Sequence, residues 1–173
     1  AGNVIGGGDW AKGRIIPDCI RAWEKDEKVK IRHPHSTRPW QHVLEPLSGY
    51  LRLGQQLSEN NDLNGKSFNF GPPEQNNHTV LELIEQIAKQ YDEGNKVAYE
   101  IIDEPSFHEA GLLKLDCTQA KEQLLWRANL NFEQTSYFTA KWYSDYKSVD
   151  IHDLASKQIE NYCDTAIKKQ LSW

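Results

Sequence analysis

Apolar residues recur at helical spacing early in the chain. Ile15, Cys19, Ile20 and Trp23 fall on one side of a helix with 3.6 residues per turn. Charged residues fill most of the positions between them and after them. The pattern therefore predicts an amphipathic helix over 14–24, with its apolar side packed against a core.

A second helical pattern follows a polar loop. Leu47, Leu51, Gly54 and Leu57 face one way over 44–57, and a proline in the first turn is compatible with a helix start. Four more helices are predicted, over 80–91 with a capping box of Thr79 and Glu82, and over 116–126, 132–146 and 151–166.

Short extended segments separate the helices. Strands are predicted at the opening residues up to Ile5 and over 29–31, 67–70, 97–102 and 112–115. Because strands and helices alternate, the fold class is α/β. The strands are few and short, and no G-x-G-x-x-G turn is present. We therefore expect a small mixed α/β lobe that completes a larger sheet, without the dinucleotide-binding half.

Composition narrows the class of partner. The net charge of -5 argues against a nucleic-acid-binding protein, because phosphate neutralisation needs a basic face. The three cysteines are far apart and form no metal or redox motif, which indicates free thiols in a reducing compartment. No apolar run is long enough to cross a bilayer and no signal peptide is recognisable, so we expect no membrane contact and a cytoplasmic location. The chain opens inside a strand without methionine, and we expect it to be part of a longer protein.

The densest cluster of reactive side chains is the loop over 32–42. It holds two arginines, three histidines and one tryptophan, and two prolines restrict its backbone. Arginine presents a fork of donors that matches phosphate geometry, so the loop is a candidate phosphate site. A solvated loop whose Trp40 fills a gap in the core is an equally good interpretation. His33-x-His35 has no carboxylate or cysteine partner at ligand spacing, so we expect no metal.

Two further segments could contribute to a site. Asn3, the following triple glycine and Arg14 suit an anionic ligand, although a simple turn explains the glycines as well. His108 and Glu109 could exchange protons, or be exposed loop residues without a role. From the residues alone, the sequence indicates an α/β lobe that could bind a phosphorylated ligand.

Several motifs carry a resemblance to a known family. Residues 2–10, Gly-Asn-Val-Ile-Gly-Gly-Gly-Asp-Trp, and 37–50, beginning Thr-Arg-Pro-Trp-Gln-His-Val, are long and specific, and matches at 67–72, 105–110 and 113–116 follow in order. The chain resembles the CDP-glucose 4,6-dehydratases, which are extended short-chain dehydrogenases/reductases. The resemblance implies that 1–173 is the carboxy-terminal, substrate-binding part, with segments of 1–70 returning to the Rossmann sheet.

The resemblance also implies a reaction and a cofactor. CDP-glucose is converted to CDP-4-dehydro-6-deoxyglucose, a precursor for deoxysugars of lipopolysaccharide. NAD is held mainly by an amino-terminal domain, and the full-length enzyme is a homo-oligomer. Hydride leaves C4 of the sugar for NAD, water is eliminated across C5 and C6, and the hydride returns to C6. The family's Tyr-x-x-x-Lys pair and elimination residues are expected before Ala1, so this chain alone is expected to be inactive.

Individual residues receive roles only through the resemblance. It implies that Asn3 contacts the sugar-phosphate and that Arg14 and Arg38 hold the diphosphate. It also places His108 and Glu109 near the nucleotide. Trp40, Gln41 and His42 form the pocket wall or support Arg38, and we favour support. The sequence departs from the family at His33, His35, Leu125 and Ala128, which puts local loop geometry in question.

Two other interpretations remain open. The chain could come from another sugar-nucleotide dehydratase or an epimerase of the same superfamily. It could also be a non-catalytic nucleotide-sugar-binding remnant. The Arg-Pro-Trp-Gln-His run at 38–42 favours CDP-glucose over its dTDP counterpart.

Overall fold

The computed structural model describes residues 1–73, 76–91, 99–102 and 114–173. It confirms the α/β class. The helices are α1 (Ile15–Trp23), α2 (Leu44–Glu59), α3 (Val80–Tyr91), α4 (Thr118–Gln123), α5 (Phe132–Asp145) and α6 (Ile151–Lys168). The strands are β1 (Val4–Ile5), β2 (Val29–Ile31), β3 (Thr37–Arg38), β4 (Gln41–His42), β5 (His78–Thr79) and β6 (Tyr99–Ile101), and a 3-10 turn spans Asn61–Leu63.

Within the described residues the strands form three two-stranded sheets. β1 pairs with β4 and β2 with β6, both parallel, and β3 pairs with β5 antiparallel. Parallel sheets normally have several strands and are covered on both faces. The β1–β4 pair is therefore typical of the edge of a larger parallel sheet rather than of a complete one.

One predicted loop and one predicted strand differ from the structure. The loop predicted over 32–41 contains β3, because Arg38 pairs with His78, forty residues further along the chain. The strand predicted over 67–70 does not form a ladder in the described chain. Instead, the Phe70 carbonyl accepts a hydrogen bond from the Gln41 side chain at 2.9 Å. A side-chain partner thus replaces the strand partner that the pattern implied.

Local capping explains why the helices begin where they do. The predicted box at α3 is confirmed, since the Glu82 N–H donates to Thr79 Oγ1 and the Glu82 carboxylate accepts from the Thr79 N–H. α5 begins with a capping box of Asn131 and Gln134. At α6, the Asp150 side chain accepts two backbone N–H groups. Each cap satisfies donors that a helix start leaves without intrahelical partners.

The main core lies between α1, α3, α5 and the β2–β6 pair. Ile20, Leu83, Ile84 and Ala140 have no exposed surface there, and Ile31 of β2 packs with them. A smaller core forms around α4 and the loop after it, and a third joins α5 to α6. None of the helices in the described ranges is long and apolar enough to cross a membrane.

Helix α2 turns its apolar side away from the rest of the described chain. Leu51 is 77% exposed, and Leu47 and Leu57 are also exposed. The opposite side is buried and carries Glu45 and Ser48. The four residues predicted to share a face do so, but that face is not part of a core among the described residues.

Candidate functional site

The glycine loop after β1 lies flat against α5. A Cβ atom at Gly7 would come within 1.9 Å of the Trp142 ring, so only glycine allows the backbone this close. Gly8 has a φ of +76°, which also favours glycine. The Tyr143 hydroxyl donates to the Asp9 carbonyl at 2.7 Å. Two aromatic residues of α5 therefore fix the path of the chain toward α1.

Asp9 at the end of this loop pairs with Arg14 at the start of α1. The Asp9 carboxylate accepts from Arg14 Nη1 at 2.9 Å and from the Ala11 N–H at 3.0 Å. Partial burial raises the pKa of Asp9, but the Ala11 N–H and the Arg14 guanidinium outweigh it and hold the pKa below its ordinary value. The Arg14 side chain is 66% exposed, so it can reach a ligand in solution.

Arg38 is held in a short strand and is more than nine-tenths buried. Its Nη1 donates to the Thr37 carbonyl at 2.9 Å. β3 pairs with β5, and Trp40 donates from Nε1 to the His78 carbonyl at 3.1 Å. The strand pairing and the tryptophan together hold the backbone that presents Arg38 to the cavity described below.

Gln41 and His42 form β4, which follows the strand that carries Arg38, and both side chains are buried. Gln41 Nε2 donates to the Gly2 carbonyl at 2.8 Å and to the Phe70 carbonyl at 2.9 Å, which links three segments. His42 is almost fully buried, and its Nδ1 accepts from the Leu44 N–H. Burial lowers the pKa of His42 to about 4, so the imidazole is neutral at physiological pH.

A single cavity of about 640 Å³ brings together three of the predicted site residues. Asn3, Arg14 and Arg38 line it, and Trp40 forms part of the wall. Asn3 adopts a φ of 42°, in the left-handed region that asparagine tolerates better than most residues. Backbone conformations of this kind cluster at functional sites.

Other residues of the cavity were not predicted to act there. The cavity is also lined by Lys30, Asp9 and Asp18. Arg32 and His33, from the candidate phosphate loop over 32–42, line it as well. The alternation in Val29–Ile31 was the available signal, because it turns Lys30 away from the core side of β2. Four basic side chains and two carboxylates thus surround the cavity.

Two predicted site residues cannot be compared with the structure. His108 and Glu109 lie outside the described residues. His35 is exposed and does not line the cavity, whereas His33 does.

Tyr-x-x-x-Lys spacings do occur in this chain, although such a pair was expected only before Ala1. One joins Tyr143, whose hydroxyl donates to the Asp9 carbonyl, to Lys147, which forms an ion pair with Glu24. The other joins Tyr137 and Lys141 within α5. Both residues line a second cleft of about 200 Å³ between α5 and α6. Lys141 Nζ forms an ion pair with Asp145 at 2.8 Å, one turn further along the helix. The linings of the two cavities have no residue in common, so this pair does not belong to the predicted site.

A buried polar junction connects α2 to α6, and no pattern in the sequence predicts it. The Glu45 carboxylate accepts from the N–H groups of Asn129 and Leu130 at 2.5 to 3.1 Å, and from the Tyr162 hydroxyl at 3.1 Å. Ser48 Oγ lies 3.0 Å from that hydroxyl and accepts from the Trp126 side chain. Burial raises the pKa of Glu45 to about 7, against the effect of these donors.

Comparison with solved structures shows which fold this arrangement belongs to. A UDP-glucuronic acid 4-epimerase from Bacillus cereus, in complex with UDP-glucuronic acid and NAD, is 14% identical with a TM-score of 0.69 over 84% of this chain and 44% of its own. A dTDP-glucose 4,6-dehydratase from Bacillus anthracis, in complex with NAD, is 20% identical with a TM-score of 0.64 over 88% of this chain and 45% of its own. The chain therefore has the fold of part of an extended short-chain dehydrogenase/reductase.

Sequence comparison is more specific. The chain is 39% identical over 163 residues to a CDP-glucose 4,6-dehydratase from Salmonella typhimurium, which covers 94% of this chain. The resemblance to the CDP-glucose 4,6-dehydratases is thereby confirmed. This chain spans 45% of the length of that relative, in its carboxy-terminal part. No protein-family model matches the chain.

Proposed function

We propose that this chain is the sugar-nucleotide-binding part of a CDP-glucose 4,6-dehydratase. The observation that carries the proposal is the cavity that unites Asn3, Arg14 and Arg38 from three separate segments. The 39% identity to the Salmonella enzyme supports CDP-glucose as the substrate. The protein would convert CDP-glucose to CDP-4-dehydro-6-deoxyglucose for deoxysugar and lipopolysaccharide synthesis, in the cytoplasm.

The cavity has the charge that a sugar diphosphate requires. Two phosphate charges in a partly dry site need cations, and arginine offers a planar fork that matches phosphate oxygens. Arg38 is the principal anchor, because its strand pairing and burial leave little side-chain freedom to lose on binding. Arg14 is secondary, since its side chain is largely exposed. Asn3 supplies an amide toward the sugar-phosphate.

The cofactor belongs to a part of the protein outside this chain. NAD is present in both solved relatives described above, and the dinucleotide fingerprint does not occur in this sequence. In this proposal the contribution of the chain is to bind the sugar nucleotide, orient it and exclude water from one side.

Two features support the docking of a dinucleotide-binding domain against this chain, namely the apolar side of α2 and the β1–β4 pair. Leu47 and Leu51 form an exposed apolar stripe of the kind that packs on a sheet face. Val4 of β1 is 37% exposed. Segments of residues 1–70 would accordingly return to the Rossmann sheet, as the resemblance implies.

The proposal is tested by calorimetric titration of the complete gene product that contains this chain. A charge-assisted hydrogen bond contributes about 1.5–3 kcal/mol. Arg38→Ala should therefore weaken CDP-glucose binding about ten- to a hundredfold and leave NAD binding unchanged. Arg38→Lys should recover part of the affinity, because lysine keeps the charge but loses the fork. Arg127→Ala removes an exposed cation that does not line the cavity and serves as the matched control.

Two results would contradict the proposal. Equal affinity of Arg38→Ala and wild type for CDP-glucose would make Arg38 a structural residue. A preference for UDP-, GDP- or dTDP-sugars in the same titration would assign the chain to another dehydratase or an epimerase of the superfamily. The 173-residue chain by itself is expected to show no turnover of CDP-glucose with added NAD.

A further inference from the structure

The ion pair between Asp9 and Arg14 occupies part of the proposed diphosphate site. Both side chains line the cavity, and Asp9 Oδ2 lies 2.9 Å from Arg14 Nη1. Asp9 is itself an anion at a place where the ligand brings two more negative charges. The carboxylate and the diphosphate therefore compete for the same guanidinium.

Asp9 is fixed in position, whereas Arg14 can move. The Asp9 carbonyl accepts from Tyr143, its carboxylate accepts from the Ala11 N–H, and the glycine loop before it lies against Trp142. Arg14 has a long side chain that is 66% exposed. A ligand can draw Arg14 away, but Asp9 cannot follow.

Asp9 would not be left without a nearby cation after Arg14 has moved. Arg21 of α1 donates to the carbonyls of Trp10 and Ala11, the two residues after Asp9. Its positive charge acts on the Asp9 carboxylate. The Ala11 N–H remains bonded to the same carboxylate. The exchange of partners therefore costs only the exposed ion pair, which corresponds to a factor of at most about five in affinity.

We propose that Asp9 is an affinity-setting residue that holds Arg14 until the diphosphate of the sugar nucleotide displaces it. Binding of CDP-glucose exchanges one anionic partner of Arg14 for another. The affinity is consequently lower than Arg14 would give if it had no carboxylate beside it. This inference rests on the proposed function, because it takes the diphosphate group as the competing anion.

The test is a double-mutant cycle on the complete gene product, with CDP-glucose and CDP as titrants. Asp9→Asn keeps the acceptor for the Ala11 N–H and removes the charge, and we expect it to bind both ligands about three- to fivefold more tightly. In an Arg14→Ala background the same substitution should give no gain. Because an exposed ion pair is screened, the gain should also shrink as salt is raised.

Asp18→Asn is the matched control. Asp18 lines the same cavity, but its carboxylate is bound to Arg21 rather than to Arg14. An equal gain from this variant, or a gain from Asp9→Asn that persists without Arg14, would show a general charge effect and overturn the proposal. Weaker or unchanged binding by Asp9→Asn would overturn it as well. Failure of the wild type to bind either ligand would instead overturn the proposed function, and this inference with it.

Discussion

The cavity and the α2–α6 junction are both rich in polar groups. In the cavity most of these groups reach solvent, whereas at the junction they are buried and bonded to one another. In the cavity, charged side chains such as Arg14 reach solvent and pair with partners that a ligand can replace. At the junction, Glu45, Ser48 and Tyr162 are buried and bond to each other and to nearby backbone. The cavity is therefore suited to binding, while the junction holds two helices together at fixed positions.

The largest expected effect tests the junction. Glu45→Gln replaces a carboxylate that accepts three donors with an amide whose NH2 group faces some of them. We expect a loss of about 3 kcal/mol in the free energy of unfolding, because the amide leaves some of these buried donors without an acceptor and unsatisfied buried donors are costly. Denaturant unfolding of the complete gene product measures this loss of stability. Glu122→Gln, at an exposed position, is the control. A change as small as that of the control would mean that the junction does not contribute to stability.

The pH dependence of stability should contain two opposite contributions. The pKa of Glu45 is raised from 4.5 in the unfolded chain to about 7 in the folded protein. Its contribution to the free energy of unfolding is therefore complete below pH 4.5 and is lost as the pH rises through 7. The pKa of His42 is lowered from 6.5 in the unfolded chain to about 4 in the folded protein. Its contribution to the free energy of unfolding is therefore complete above pH 6.5 and is lost as the pH falls through 4. Each contribution amounts to about 3 kcal/mol, and between pH 4.5 and 6.5 they oppose each other.

Single substitutions separate the two contributions. In Glu45→Gln, stability should rise with pH between 4 and 6.5, because only His42 remains. In His42→Asn, which can retain an acceptor for the Leu44 N–H, stability should fall between pH 4.5 and 7. Thermal melts across that range measure both slopes. Slopes of the same sign in both variants would contradict these assignments.

Substitution of two glycines by alanine should have an intermediate effect. One substitution is expected to lower stability and the other to weaken ligand binding. A Cβ at Gly49 of α2 would lie 2.3 Å from the Phe70 ring, so Gly49→Ala should cost about 1–3 kcal/mol of stability by overpacking. A Cβ at Gly7 would meet Trp142 and displace the loop that carries Asp9. Gly7→Ala should therefore weaken CDP-glucose binding severalfold. Both variants are titrated with CDP-glucose and unfolded with denaturant. A greater loss of binding in Gly49→Ala than in Gly7→Ala would contradict this prediction.

The smallest expected effect concerns the exposed side of α2. Leu51→Gln changes a side chain that is 77% exposed, so the unfolding free energy of the isolated chain should change by less than about 0.5 kcal/mol. Its tendency to self-associate should fall, because an exposed apolar stripe promotes association. Sedimentation of the isolated chain measures this, with Lys121→Gln as an exposed polar control. Unchanged self-association would argue against this surface as the cause.

Helix positions were predictable because their signals are local. The α3 capping box lies within four consecutive residues, and the apolar spacing of α1 is contained in the helix itself. The sequence did not predict which side of α2 is buried. Its polar side is buried because Glu45 bonds to residues 84 and 85 positions away, and no local pattern encodes such a contact.

The candidate site was predictable in part for the same reason. Asn3, Arg14 and Arg38 were identified by residue type and motif, and the structure places all three around one cavity. Whether they bind a sugar nucleotide stays a prediction. The ion pair between Asp9 and Arg14 could not be predicted from the glycine motif, because it depends on the path of the loop, which packs against α5.

The aromatic packing of the glycine loop also gives the protein an optical reporter. Trp10 follows Asp9, and its ring lies 5.4 Å from Tyr143 and 5.3 Å from Tyr146. It is 41% exposed, whereas the tryptophans at 23, 40, 126 and 142 are buried and Trp173 is half-buried. A water-soluble quencher therefore acts mainly on Trp10 and less on Trp173, so the quenchable part of the intrinsic fluorescence reports mainly on this loop.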